Sequence, residues 1–252
     1  MLQQTQVARV VLRYEAFLDR FPDTGACAAS PVGAVIDAWA GLGYNRRAVY
    51  LHRAAIAIVD RRHGRFPDNL EELQALPGVG AYTARAILVF AFEKQLGVVE
   101  TNVARVLARA VAGRRLAAGE VQAVADSHVP ETQSWVWNQA MVDLGATICT
   151  SRSPRCHSCP LQRSCAWASA GHPAPDPAVD SAGVSGRQST FSGSDRQGRG
   201  RLIDALRRGP LSLNRLPEAT GWPDDPDRAS RVAAGLVADG LAVETGGQLA
   251  LP

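Results

Sequence analysis

Residues 70–90 read LEELQALPGVGAYTARAILVF, and the reading of this stretch decides the fold. It divides into a short helix, the turn Leu76-Pro77-Gly78-Val79-Gly80 and a second helix. Pro77 stops the first helix, because its ring and missing N–H cannot continue one. Gly78 and Gly80 allow positive φ and a close approach by another backbone. The N–H groups of the turn stand at the N-terminus of the following helix, where they can receive a phosphate oxygen. The stretch therefore reads as a helix-hairpin-helix, a clamp on a nucleic-acid backbone that does not read sequence. A helical hairpin with no nucleic-acid role is the competing reading.

Outward from the hairpin, the pattern up to about residue 171 is helical with short Gly/Pro breaks. Helices are expected over residues 2–20, 32–38, 48–63, 70–75, 81–92, 102–110, 120–127 and 135–145, with no alternating strand. The first of these opens MLQQTQVARVV without a Ser, Thr, Asp or Asn to cap it, so MLQQTQV reads as the middle of a helix. Residues 173–198 are rich in Pro, Gly, Ser and Asp and read as a linker. Beyond it, helices are expected over 199–208, 211–219 and 227–240. Gly246-Gly247 then marks a two-residue hairpin between two short strands. Three helices and a hairpin suggest a winged helix.

Composition narrows the function class. The chain has 252 residues, 46% hydrophobic and 20% charged, with a formal net charge of +3. No apolar run reaches the ~20 residues of a membrane span, and no export signature is present, which points to the cytoplasm. Arg46, Arg47, Arg53, Arg61, Arg62 and Arg65, with His52 and His63, crowd one stretch whose single acid is Asp60. That cluster suggests phosphate contact; a solvated basic helix face is the plainer alternative. Lys94 is the only lysine.

Four of the five cysteines are spaced C-x6-C-x2-C-x5-C: Cys149, Cys156, Cys159 and Cys165. Cys27 stands apart and reads as a small buried hydrophobe. Four thiolates so close imply a metal. Zinc is the general default, although its usual paired Cys-x2-Cys knuckles are not both present. A four-iron cluster takes the same four ligands. On spacing alone iron–sulfur is only modestly ahead, and a redox electron carrier remains a rival role.

A helix-hairpin-helix followed by this cysteine pattern resembles the endonuclease III superfamily of base-excision DNA glycosylases. MLQQTQV (1–7), WAGLGYNRRA (39–48), LPGVGAYTARAI (76–87), ETNVARVLAR (100–109) and NQAMVDLGATICT (138–150) are similar to adenine DNA glycosylases of the MutY type. The resemblance covers residues 1 to about 170. It implies an all-α fold: a six-helix lobe with the hairpin (1–96) and an iron–sulfur lobe (97–172). The linker (173–198) then leads to a winged-helix-like tail (199–252). One [4Fe-4S] cluster on the four cysteines is implied as well.

The resemblance also assigns residues. Such enzymes flip a base out of the duplex, at a cost of a few kcal/mol, and must fill the hole. Gln3, Gln4 and Tyr44 match the residues that do so. Thr5, Arg46, Arg47, Gly78, Val79, Gly80 and Arg105 are the further expected DNA contacts, and Asp143 stands where an acid lies near the flipped adenine. Glu100 matches the carboxylate that stabilises the sugar cation, with Asn102 and Arg105 supporting, although the family has the shorter Asp. Its plainer role is to satisfy the following helix's N-terminus. Tyr82 stands where members that also nick the backbone carry a Schiff-base Lys, so a monofunctional enzyme is implied.

The family's general acid is a Glu two residues before the Met of MLQQT, a position ahead of Met1. A start at an internal Met and an impaired paralogue are the two explanations, the first being favoured. The tail is too short for a Nudix-like reader of 8-oxoguanine, and Arg199, Arg201, Arg207 and Arg208 are its candidate DNA contacts. The expectation is a monomeric, cytoplasmic, nucleoid-associated glycosylase that removes adenine mispaired with 8-oxoguanine or guanine from double-stranded DNA. Its rivals are a thymine-mismatch glycosylase, a non-catalytic mismatch-binding protein and a zinc-bound winged-helix regulator.

Overall fold

The structure is a computed structural model that describes residues 1–3, 5–181 and 190–252. Gln4 and linker residues 182–189 lie outside the described residues. Helices α1 (Val7–Arg20), α2 (Thr24–Ala29), α3 (Val32–Ala38) and α4 (Arg46–Arg62) precede the hairpin helices α5 (Leu70–Gln74) and α6 (Ala81–Phe92). Next comes α7 (Thr101–Val106), which runs into a π-helical segment, Leu107–Ala112; α8 (Ala118–His128), α9 (Ser134–Thr147) and α10 (Ala166–Ser169) follow. The tail holds α11 (Asp195–Leu206), β1 (Leu211–Ser212), α12 (Leu216–Thr220), α13 (Pro226–Ala238), β2 (Val243–Thr245) and β3 (Gln248–Ala250). The fold is mainly α-helical, and the hairpin lies at the expected residues. Among the described residues no helix is long and apolar enough to cross a membrane.

The chain forms two compact units. The first combines Met1–Phe66 and Leu76–Gly78 with Gln188–Pro252; the second is Pro67–Ala75 with Val79–Arg187. These units cut the chain differently from the expected boundaries at 96 and 198. In the first unit one core draws on both ends of the sequence: Val10, Phe17, Ile36 and Trp39 are buried with Leu202, Ile203, Leu236 and Leu249. The Phe17 ring meets Phe21 at 4.9 Å and the edge of Trp39 at 6.1 Å. The N–H of Gly33 donates to the terminal Pro252 carbonyl at 2.8 Å. A Cβ at Gly33 would lie 2.2 Å from that oxygen, so glycine lets the tail's end close onto α3. In the second unit Val103, Val106 and Leu107 bury against Leu116, Val121 and Met141.

The tail runs helix, strand, helix, helix, strand, strand, with sheet order β1-β3-β2. Both neighbouring pairs are antiparallel. This is the winged-helix arrangement. Gly246 and Gly247 have φ of 58° and 75°, which a type I′ hairpin turn requires at both central positions.

Several elements depart from the expectation. Helix α1 starts at Val7, not at residue 2, and Met1, Gln3 and Thr5 are instead held by Arg47. It donates to the carbonyls of Met1 at 2.9 Å and Gln3 at 2.5 Å and to the Thr5 hydroxyl at 2.8 Å. Helix α2 was not expected; six residues are too few for periodicity, though Asp23 caps it by accepting from Ala26 N at 2.7 Å. The helix expected over 211–219 begins instead as β1, since Leu211 pairs with Leu249. The linker also starts later than expected. Asp176 accepts from Ala178 N at 2.9 Å, Ser181 accepts from Leu116 N at 3.3 Å, and Arg115 donates to the Asp180 carbonyl at 2.9 Å.

Candidate active site and cysteine cavity

The hairpin turn is built on glycine for a steric reason. Gly78 has φ +75°, and a Cβ there would lie 2.5 Å from the Cβ of Tyr50. Gly80 is the extended N-cap residue of α6, and a Cβ there would meet no atom within 4 Å. Both glycines are exposed and Val79 is half-buried. The first-turn N–H groups of the 12-residue α6 thus sit at an open helix N-terminus. Helix α5 is fixed by Asn69, which accepts from Glu72 N at 3.0 Å and donates to its carboxylate at 2.7 Å.

Glu100 is the N-cap residue of α7. Its Oε1 accepts from Asn102 N at 2.8 Å and Val103 N at 3.0 Å. The helix-capping role weighed from the sequence is therefore real, and it ties one carboxylate oxygen while the side chain stays half-buried. Tyr82, exposed on the first turn of α6, feels this carboxylate. Burial, then Glu100, push its phenol up, so it is neutral at physiological pH. Glu100 and Asn102 thus meet at the start of α7, and Tyr82 stands within electrostatic reach of Glu100. Asp143 lies on the exposed face of α9 and accepts from the Gln139 amide at 3.0 Å.

Arg105, expected at the DNA, is 4% exposed and spends its donors inside the unit. It donates to the Asn102 side chain and the Gly145 carbonyl at 2.6 Å each, and to the Cys149 carbonyl at 2.7 Å. Burial pulls its pKa below the ordinary arginine value. A buried guanidinium with every neighbour a protein acceptor is a clamp, not a phosphate contact. It fixes Asn102 and joins α7 to the C-terminal end of α9. Gly145 makes that approach possible: a Cβ there would lie 2.6 Å from Cβ and 2.7 Å from O of Asn102.

All four clustered cysteines line one cavity, with walls from Val106, Leu144, Ile148, Leu161 and Trp167. Burial, then Cys149, Cys165 and Cys159, push the Cys156 thiol up. Sulfurs placed to repel one another as thiolates, in apolar surroundings, form a donor set that a cationic metal centre fits. Among the described residues no three Cys, His, Asp or Glu side chains form a grip on a single ion.

Two residues here escaped the sequence reading. Arg109 is 2% exposed and lines the cysteine cavity. It donates to Cys149 Sγ at 3.4 Å and to the Thr150 carbonyl at 2.8 Å. It also holds Asp176 through paired hydrogen bonds of 2.9 and 2.5 Å, and its guanidinium lies 5.1 Å from the Trp167 ring. The available signal was an acid-free apolar helix with arginines at 105 and 109, one turn apart on one face. Asp176 carried no signal, lying within a Pro-rich stretch that resembles a linker.

In the first unit, Tyr44 is 46% exposed and has φ +47°, following Gly43 at φ +68°. The GLGY turn therefore presents the tyrosine ring outward at a backbone conformation bulky residues seldom adopt. Thr5 donates to the Leu42 carbonyl at 3.1 Å. Arg47 donates to the Leu42 and Gly43 carbonyls at 3.1 Å each, besides its bonds to Met1, Gln3 and Thr5. It thus staples the first motif to the turn instead of standing free for phosphate. Arg46 and Gln3 are exposed.

Comparison with known proteins gives a consistent picture. Residues 1–130 match the model of the HhH-GPD superfamily base excision DNA repair proteins. The chain is similar to the adenine DNA glycosylase of Mycolicibacterium smegmatis, at 41% identity over 248 residues, 97% of this chain and 82% of that relative. Among solved structures it is similar to a thermostable thymine-DNA glycosylase, with TM-score 0.61 and 25% identity over 67% of this chain and 80% of that one. A trapped endonuclease III–DNA covalent intermediate shares the fold, with TM-score 0.60 and 24% identity over 68% of this chain and 82% of that one.

Proposed function

We propose, because the chain belongs to the HhH-GPD superfamily of base excision DNA repair proteins, that it excises adenine mispaired with 8-oxoguanine or guanine. It is a DNA N-glycosylase; the adenine substrate follows the relatives named adenine DNA glycosylase, and the chemistry follows the site. The observation that carries the reading is Glu100, fixed at the N-cap of α7 beside a neutral Tyr82. The hairpin and the N-terminus of α6 hold the DNA backbone, and Tyr44 with Gln3 and Gln4 fills the space of the flipped base. Glu100 Oε1 is tied to the helix, and its second oxygen stabilises the positive charge that develops on the sugar as the glycosidic bond breaks.

The reaction stops at base removal. Tyr82 supplies a hydroxyl where a lyase would need an amine, and Lys94 lies 3.8 Å from Asp68 in an ion pair. Cys149, Cys156, Cys159 and Cys165 would hold one [4Fe-4S] cluster. When bound it supplies a rigid tie among the loops that follow α9, and Arg109 supports it by a hydrogen bond to Cys149. The protein acts as a monomer on double-stranded DNA in the cytoplasm, at the nucleoid.

Single-turnover assays on A:8-oxoguanine, A:G and T:G duplexes test the reading, with the protein and its Glu100→Gln variant. Adenine release that falls about 100-fold or more in Glu100→Gln supports it. Preferential thymine release favours the thymine-mismatch alternative, which the 25% identical thymine-DNA glycosylase keeps in view. Tight mismatch binding with no release from any form favours a binding protein. Iron and zinc analysis of the purified chain decides the metal.

A further inference from the structure

The tail reaches the parts of the first unit that are assigned to DNA. Arg207 at the end of α11 has a side chain only 11% exposed. It donates to the Ile36 carbonyl at 3.0 Å and to the Asn45 side chain at 3.3 Å. Asn45 directly follows Tyr44 and is the N-cap residue of α4. Arg207 is thus the tail's grip on the turn that presents the tyrosine. Asp204 beside it shares the guanidinium at 2.5 Å, so the grip is charge-balanced within the tail.

A second route runs through Asp239, at the end of α13. It pairs with Arg199 of the tail and, at 3.5 Å, with Arg46. The Arg46 guanidinium lies 5.1 Å from the Tyr50 ring. Tyr50 in turn is the residue against which Gly78 of the hairpin turn closes, with room for no side chain between them. The path Asp239–Arg46–Tyr50–Gly78 therefore runs, within the first unit, from the winged-helix tail to the first half of the hairpin turn. Close packing at Gly240, whose added Cβ would lie 3.2 Å from the Arg53 guanidinium, keeps the end of α13 seated on α4.

We propose that the tail is a positioning element for DNA engagement: Arg207 sets the turn that carries Tyr44, and Asp239 sets the hairpin turn through Arg46 and Tyr50. The tail thus acts on the duplex through the first unit's own loops. Of the arginines expected to touch DNA, Arg199, Arg201 and Arg207 are engaged within the unit. The proposal rests on the assignment of Tyr44 and the hairpin to DNA.

Stopped-flow fluorescence of the full chain tests it, with 2-aminopurine replacing the mispaired adenine so that emission rises as the base unstacks. Matched-duplex affinity is measured in parallel by anisotropy. Arg207→Met keeps the buried stem and removes the donors. It should slow unstacking about fivefold or more, leave matched-duplex Kd within about twofold, and be partly rescued by Arg207→Lys. In a Tyr44→Ala background Arg207→Met should have no further effect, because both changes remove the same step. Asp239→Asn should instead weaken matched-duplex binding about threefold, and it carries the test if Arg207→Met does not fold. Unstacking within twofold of wild type in Arg207→Met, or an equal loss in the Tyr44→Ala background, overturns the proposal. So does an unchanged Kd in Asp239→Asn, or a wild type that unstacks nothing. Adenine release is scored separately, so Arg207-dependent unstacking without adenine release marks a failure of the excision reading and not of this proposal.

Discussion

Asp176→Ala removes one half of an ion pair whose other half cannot reach water. Arg109 is 2% exposed and the Asp176 side chain 25% exposed. Stranding one partner of a fully buried pair costs about 3–5 kcal/mol. Here the guanidinium keeps the Thr150 and Ser151 carbonyls and Cys149 Sγ, and Asp176 has partial access to solvent, so the loss should be nearer 2–3 kcal/mol. The sign with pH follows from the carboxyl itself. Burial opposes its ionisation, but the Arg109 hydrogen bond and the Ala178 N–H outweigh burial and hold it below the ordinary carboxylate range. Its contribution is fully present above the unfolded value of about 3.9 and is lost as pH falls through the lower folded value. Urea denaturation, followed by the emission of tryptophans including Trp167 beside Arg109, should show Asp176→Ala less stable at neutral pH. That gap should close as both proteins are acidified below about pH 4. Equal midpoints at neutral pH, or a gap that persists undiminished to about pH 2, would refute the reasoning.

Three further outcomes follow from the same geometry. Gly145→Ala forces a methyl against the Asn102 backbone, so it should cost about 1–3 kcal/mol in thermal unfolding and slow adenine release more than tenfold by moving Glu100 and Asn102. Gly78→Ala, at φ +75° and against Tyr50, should weaken matched-duplex binding and lower the salt dependence by about one phosphate contact, read as the slope of log K on log salt. Tyr82→Lys places an amine beside Glu100 and should yield a borohydride-trapped complex with DNA that the native protein does not form; no trapped complex at any pH would separate Tyr82 from the sugar.

The elements legible in the sequence were those whose signal is local. The hairpin announced itself because Pro77 and the two glycines each dictate backbone geometry. The C-terminal turn did so because Gly246-Gly247 admits one hairpin type. The cysteines were legible through spacing, and Glu100 and Asn102 only through the family resemblance; the structure gathers each group. What could not be read were contacts between distant segments. Nothing around Gly33 says that Pro252 closes upon it, and nothing around Leu211 says that Leu249 recruits it into a strand. Asp176 looked like linker because its partner is 67 residues away. The tail looked separate for the same reason: its leucines are amphipathic on their own terms, and only the folded chain shows the core they share with α1 and α3.

The arginines were the most misleading signal, and their true reading yields a test. A cluster of arginines with a single lysine in the whole chain reads as a phosphate-binding surface. Yet Arg47, Arg105, Arg109 and Arg207 all direct donors at main-chain carbonyls of irregular or helix-terminal segments, where regular backbone pairing ends. The five-donor planar fork can satisfy several such oxygens at once, and an ammonium cannot do so with the same geometry. Arg47 is the clearest case, holding four carbonyls and a hydroxyl that fix Met1, Gln3 and Thr5 against the GLGY turn. Arg47→Lys keeps the charge and loses the fork. If Arg47 is a staple, the substitution should slow base unstacking by 2-aminopurine fluorescence and leave the salt slope of duplex binding unchanged. If it were a phosphate contact, unstacking would survive while affinity changed uniformly across sequences. The retained charge makes this exchange diagnostic, since an alanine would disturb both roles at once.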